Sequence, residues 1–278
     1  MRTRLLALDI DGTLLDPYGA LTDGVREAVA AARQAGLEIV LCTGRRFRTA
    51  LPIAQALELS GPIVVNNGAL VKDLASGRTL HHRYLSMEVY PEVLALARSV
   101  GPPLVYVDAY PEPADFLTER SQEAHPFQRE YLRDHGAHCR VVDDLAREGR
   151  DDVIMTSLMA DATSLDALRV RAQAALGPRI HTHTLQNKNY QGVILEFLSP
   201  ASGKWAALAQ VAQLAGIASD AIAAIGDDSN DVEMLKRAGF GIAMGNAVDD
   251  AKAVAGFVAR SNAEGGAVEA IERVLLGL

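Results

Sequence analysis

The chain has 278 residues, of which 49% are hydrophobic and 22% charged, with a net charge of −8. That balance excludes a disordered chain, and the acidic excess argues against nucleic acid or an anionic membrane surface as the main partner. The length allows one large domain plus a smaller one.

In chain order, a short apolar strand is expected at Leu5 to Leu8, ending abruptly in Asp9, Asp11 and Gly12. The two arginines and brief apolar run before those acids are too short for a signal-peptide core or a spanning helix. No later stretch qualifies, so a cytoplasmic protein is expected. A helix at TDGVREAVAAARQAG closed by Gly36, a strand at LEIVLCT, a helix at RFRTALPIAQALE and a strand at GPIVVNNGA follow. This βαβαβ order predicts a parallel sheet covered by helices. The closing third repeats the pattern: helices at GKWAALAQVAQLAG, NDVEMLKRAG, DDAKAVAG and GGAVEAIERVLLGL, and strands at AIAAIGDD, FGIAMGNA and FVARS. Between them the chain is richer in Pro, His and Arg, with strands expected at PPLVYVDAY, CRVVDDL, DVIMTSLMA and RIHTHT. The expectation is an α/β fold: a Rossmann-like doubly wound core from residues 1–82 and 189–278, with residues 83–188 as an inserted α/β cap.

Ligands of an open parallel sheet bind beyond the carboxyl ends of its strands. Four of the predicted strands end there in polar or small residues: Asp9, Asp11, Gly12 and Thr13; Thr43, Gly44 and Arg45; Asn66, Asn67 and Gly68; Gly226, Asp227 and Asp228. Asp9, Asp11, Asp227 and Asp231 brought together would repel one another without a cation, and hard oxygen donors of this kind suit Mg²⁺ with a substrate phosphate. A carboxylate in line with phosphorus is a nucleophile, and a second one two residues on can move the proton. Thr43 and a lysine can hold the phosphoryl oxygens.

DIDGT at Asp9 to Thr13, CTGR at Cys42 to Arg45, Lys204 after LSPASG, and GDDSND at Gly226 to Asp231 resemble the four motifs of haloacid dehalogenase-superfamily phosphatases. NNGA, GDDSNDVEML, AMGNA and NAEGGAVEAI are similar to the Cof-type branch, whose large α/β cap lies between the second and third motifs. The resemblance implies that Asp9 is the nucleophile and that Asp11 is the general acid and base, with a backbone carbonyl on the metal. Thr43 and Lys204 would bind the phosphoryl group, Asp227 would ligate Mg²⁺, and Asp231 would support the metal site. Asn230, Arg45 and the backbone around Gly12, Gly44 and Asn67 would line the phosphate pocket. Trp205 stands where the branch usually has glycine.

The implied activity is Mg²⁺-dependent hydrolysis of a small phosphorylated metabolite, a sugar phosphate or related ester, by a monomer or homodimer. A phosphotransferase or mutase of the same superfamily, and a non-catalytic phospho-ligand module, are the alternatives. An ion-pumping relative is disfavoured, because Ile10 and Asp11 stand where those chains have Lys and Thr. Blander readings apply elsewhere. Asp228 reads as a turn acid or helix cap, Cys42 as an inert buried thiol, Trp205 as a core or interdomain anchor, and His181 and His183 as a polar strand face; Lys188 is a rival phosphate binder.

Overall fold

In the computed structural model, which describes residues 3–121, 124–187 and 192–278, the first apolar run forms β1 (Leu5–Leu8), buried at all four positions. The chain then makes one tight turn, Ile10–Leu14, in which Gly12 takes φ 81°. Helix α1 (Asp23–Gln34) begins where Thr22 Oγ1 accepts the Val25 N–H at 3.4 Å, and Gly36 at φ 88° lets the chain reverse. Val25, Ala28, Val29 and Ala32 line its buried face, the spacing of an amphipathic helix. Strand β2 (Glu38–Leu41), α2 (Phe47–Ala56) and β3 (Pro62–Val65) follow. Next come β4 (Leu70–Asp73) and β5 (Thr79–His82), an antiparallel extension of β3 that the sequence reading did not anticipate.

The middle of the chain contains α3 (Tyr90–Arg98), β6 (Leu104–Val107), β7 (Phe116–Glu119), α4 (Pro126–His135), β8 (Cys139–Val142), β9 (Val153–Ala160), α5 (Ala162–Leu176), β10 (His181–Asn187) and β11 (Gly192–Leu198). The return segment contains α6 (Lys204–Leu214), β12 (Ile222–Gly226), α7 (Val232–Arg237), β13 (Phe240–Ala243), α8 (Asp249–Val254), β14 (Phe257–Val258) and α9 (Gly266–Leu276). Among the described residues no helix is long and apolar enough to cross a membrane.

The chain divides into two compact units, Met1–His82 with Gly203–Leu278, and Arg83–Ser202. In the first, strands run β14-β13-β12-β1-β2 and every pairing is parallel. A parallel bridge from Cys42 to Val64 continues the order toward β3. Because β1 lies between β2 and β12, the crossovers turn opposite ways on its two sides, and the loops after β1 and β12 open at one edge.

In the second unit the order is β10-β11-β9-β6-β7-β8, antiparallel except for the β7–β8 pair. One face packs Val105, Leu117, Leu158 and Phe197 with Val93 and Leu94 of α3 and Leu165 and Leu168 of α5. On the other face Tyr106 stacks on Phe116 at 5.4 Å and Tyr106 and Tyr131 of α4 are hydrogen-bonded at 3.0 Å. Covering on both faces explains why β9 is buried at all eight positions and reads as a continuous run.

The unit boundary corrects the sequence expectation. Strand β11, assigned there to the core because the insertion was ended at residue 188, pairs with both β10 and β9, so the second unit runs on to Ser202. Strand β7 also went unread: FLTE is only four residues long and follows a loop dense in Pro, Glu and Asp.

Candidate active site

Asp9 leaves the end of β1 with its backbone N–H on Ile225 O at 3.0 Å, which ties it to neighbouring β12. Its carboxylate accepts a hydrogen bond from Lys204 Nζ at 2.7 Å, and the same ammonium donates to Asp231 Oδ1 at 2.7 Å. Asp231 turns its other oxygen to the backbone N–H groups of Asp227 and Asp228, 3.1 Å each. Asp227 in turn accepts from Thr13 Oγ1 at 3.0 Å. Oxygens of Asp9, Asp227 and Asp231 all lie within 4.8 Å of one another, and none of the three residues is more than 4% exposed.

Glycine permits this crowding. A Cβ on Gly12 would stand 2.1 Å from Asp227 Oδ2, and one on Gly226 would stand 2.5 Å from Asp231 Cγ. Only a residue without a side chain lets those carboxylates close on the two strand ends.

Burial is the main force that raises the Asp9 carboxyl well above its ordinary range; Lys204 opposes the shift, and Asp231 and Asp227 add to it. Burial alone would depress Lys204, yet Asp231 and Asp9 more than reverse this and keep the ammonium charged. Asp9 and Asp231 thus share the Lys204 ammonium, with the buried Asp227 carboxylate beside them. The donor set is all hard oxygen, and the remaining negative charge fits a divalent cation such as Mg²⁺.

The other expected residues gather around this centre, with two exceptions. Thr43, 1% exposed, hands its N–H to Val64 O at 3.0 Å, and its Oγ1 accepts from the Arg45 N–H at 3.1 Å rather than capping α2, whose cap position is Arg46. Gly44 lies against Asn67, whose Oδ1 is 2.9 Å from where a Cβ would be. Asn67, held at φ 53°, accepts from Asn230 Nδ2 at 2.8 Å. The first exception is Asp11, expected among the metal-binding acids: its carboxylate is not in the buried cluster but pairs with Arg45. The second is Arg45, whose guanidinium is taken up by that carboxylate.

Asp228 is a helix cap, as its turn-like setting suggested: its side chain accepts the Ser229 N–H at 2.6 Å. Cys42 is fully buried, with its thiol pushed far up by burial. Trp205 is half-buried and not part of the apolar core. His183 Nδ1 sits 3.4 Å from Glu196 Oε2 on the neighbouring strand, and burial lowers His181. Lys188 lies outside the described residues.

Sequence reasoning gave no role to Thr13, Asn246 or Asn262. Asn246 Nδ2 donates to Gly12 O at 2.9 Å while its Oδ1 accepts the Asn262 N–H at 2.8 Å. Asn262 Nδ2 reaches Leu15 O at 2.8 Å. These asparagines clamp the turn after β1 from the far end of the chain. AMGNA and NAEGG marked their positions, but no local pattern says which backbone they bind.

Residues 6–271 match the family model described as haloacid dehalogenase-like hydrolase, and the chain belongs to that family. It is 27% identical over 267 residues to the 5-amino-6-(5-phospho-D-ribitylamino)uracil phosphatase YitU of Bacillus subtilis, covering 94% of each chain. It is 28% identical over 273 residues to the pyridoxal phosphate phosphatase YbhA of Escherichia coli, covering 94% of this chain and 95% of the relative. A crystal structure of a haloacid dehalogenase-like hydrolase from Bacteroides thetaiotaomicron superposes with a TM-score of 0.82 at 27% identity, covering 98% of this chain and 100% of that one. The chain is accordingly an enzyme of the phosphatase type within this family.

Proposed function

We propose that this phosphatase is a Mg²⁺-dependent phosphomonoester hydrolase that works through an aspartyl-phosphate on Asp9. The observation that carries the reading is the buried cluster of Asp9, Asp227 and Asp231 beyond the ends of β1 and β12, in which Lys204 bridges Asp9 and Asp231. Asp9, Asp227 and Asp231 would hold the ion, with Asp11 joining through its backbone carbonyl. When bound, Mg²⁺ supplies Lewis-acid stabilisation of negative charge on phosphoryl oxygens.

The protein's own groups carry the bond changes. An Asp9 carboxylate oxygen forms a bond to phosphorus as the ester P–O bond breaks, and Asp11 gives its proton to the leaving alkoxide. Lys204 and Thr43 hold the phosphoryl oxygens during transfer, with the backbone at Gly12, Gly44 and Asn67 and the Asn230 amide around them. Water then attacks phosphorus and gives a proton to Asp11, releasing inorganic phosphate and restoring Asp9.

The relatives named for a ribitylaminouracil phosphate and for pyridoxal phosphate support a small phosphorylated metabolite as substrate, a sugar phosphate or related ester. We assign choice among such substrates to the Arg83–Ser202 unit as a cap. The test is phosphate release from sugar phosphates, polyol phosphates, nucleotides and vitamin precursors, with Mg²⁺ or with EDTA, for wild type and Asp9→Asn. Metal-dependent release that disappears in the variant supports the reading. Release that survives in Asp9→Asn overturns the nucleophile, and transfer to an added sugar in preference to water overturns the hydrolase.

A further inference from the structure

Arg45 is fastened along its whole length. Its N–H donates to Thr43 Oγ1 at 3.1 Å and its carbonyl accepts the Asn66 N–H at 2.9 Å, so its backbone is fixed between the ends of β2 and β3. From there its guanidinium meets both oxygens of one carboxylate: Nε to Asp11 Oδ2 at 2.7 Å and Nη2 to Asp11 Oδ1 at 2.6 Å. Nη1 turns back to Thr49 O in α2 at 3.5 Å. Among the described residues, Arg45 is the hydrogen-bond partner of the Asp11 carboxylate.

The pair is not there for stability. The Asp11 side chain is 57% exposed and that of Arg45 29%, and exposed ion pairs contribute little to folding. A two-point, planar contact fixes orientation, which one point charge would not do. Asp11 needs that help. Its backbone angles, φ −83° and ψ 120°, are those of an extended residue inside the turn before Gly12, and more than half of its side chain is open to solvent.

We propose that Arg45 is a positioning residue for Asp11 and not a ligand of the phosphoryl group. This rests on the phosphatase reading above, in which Asp11 moves the proton. The guanidinium removes the rotational freedom of an exposed aspartate and keeps its carboxylate where the leaving oxygen, and later the attacking water, will lie. The two roles predict different kinetics. A phosphoryl ligand acts on a group common to all substrates and to the product. A residue that places the proton donor matters in proportion to how badly the leaving group needs a proton: much for phenolate, little for p-nitrophenolate.

The experiment compares kcat/KM for phenyl phosphate and p-nitrophenyl phosphate at saturating Mg²⁺ in wild type, Arg45→Met and Arg45→Lys, with inhibition by inorganic phosphate and thermal melts alongside. General acid catalysis is typically worth ~10²–10⁴-fold, so in Arg45→Met the phenyl to p-nitrophenyl ratio of kcat/KM falls by about tenfold or more. Phosphate inhibition stays as in wild type, and Arg45→Lys, which restores charge without the fork, recovers part of the ratio. Equal losses for both esters with weakened phosphate inhibition overturn the proposal in favour of a phosphoryl ligand, and an unchanged ratio overturns it outright. If Arg45→Met melts early, the ratio and phosphate inhibition in Arg45→Lys decide by the same criteria. Failure of the wild type to hydrolyse either ester counts against the phosphatase reading and removes this role with it, whereas turnover with an unchanged ratio removes only the role of Arg45.

Discussion

The two units handle charge in opposite ways. In the first, three carboxylates and one ammonium are buried together at the end of a parallel sheet. In the second, Arg98 pairs with Glu119 and Asp144 and Arg179 with Glu92 toward the surface, buried Glu196 lies beside His183 on the next strand, and the core under α3 and α5 is apolar. Strand direction accounts for the difference. A parallel sheet sends the carboxyl ends of its strands to one edge, so residues as far apart as Asp9, Thr43 and Asp227 converge, and Lys204 joins them from the first turn of α6. A mostly antiparallel sheet alternates its ends and creates no such focus. Exposed pairs like those of the second unit contribute about 0–1 kcal/mol each, whereas buried charges are costly to desolvate. The first unit therefore holds a cluster that stability alone does not favour, as expected of a site shaped for chemistry.

The sharpest way to break this contrast is Asp9→Asn. Loss of the nucleophile should lower phosphate release by about 10³-fold or more, measured as kcat/KM on the best substrate of the panel. Its melting temperature should not fall, because burial and the neighbouring acids already disfavour charge on Asp9. Next is Lys204→Met, which strands buried carboxylates without their cation and should cost about 3–5 kcal/mol in denaturant unfolding. Added Mg²⁺ should restore more stability to this variant than to wild type; no gain in either protein would mean that the cluster does not bind the ion.

Phe197→Ala probes the other unit. Phe197 is fully buried in the apolar core, and its truncation should cost about 3–5 kcal/mol while leaving Mg²⁺ affinity by calorimetry unchanged. A parallel loss of metal affinity would erase the distinction between the units. A smaller effect is expected from Gly12→Ala, where a positive φ and the close approach to Asp227 should add about 1–3 kcal/mol of strain and weaken Mg²⁺ binding. The smallest is chemical. Buried Cys42, with its raised thiol, should resist alkylation at pH 9 in the folded protein, whereas half-buried Cys139 reacts.

Much of this was legible in the sequence because it is local. Apolar runs capped by acids, glycines and Thr43 mark strand ends, and the parallel order follows from alternation with amphipathic helices. What escaped depends on pairing between distant segments. Nothing in GVILEFL says whether it joins the parallel sheet or pairs with β9 and β10; the antiparallel register decides it. The carboxylate of Asp11 was grouped with the other acids by spacing, yet the turn at Gly12 directs it toward Arg45. Asn246 and Asn262 act through carbonyls of the first turn, contacts that composition and periodicity do not encode.

The most direct test of the central claim is to trap the intermediate. Enzyme mixed with Mg²⁺ and p-nitrophenyl phosphate is quenched within one turnover, treated with borohydride and mapped by peptide mass spectrometry. An acyl-phosphate on Asp9 is reduced to homoserine, so the account predicts homoserine at position 9 in wild type and none when substrate is omitted. Phosphate release with position 9 still entirely aspartate would contradict it and point to direct attack by water.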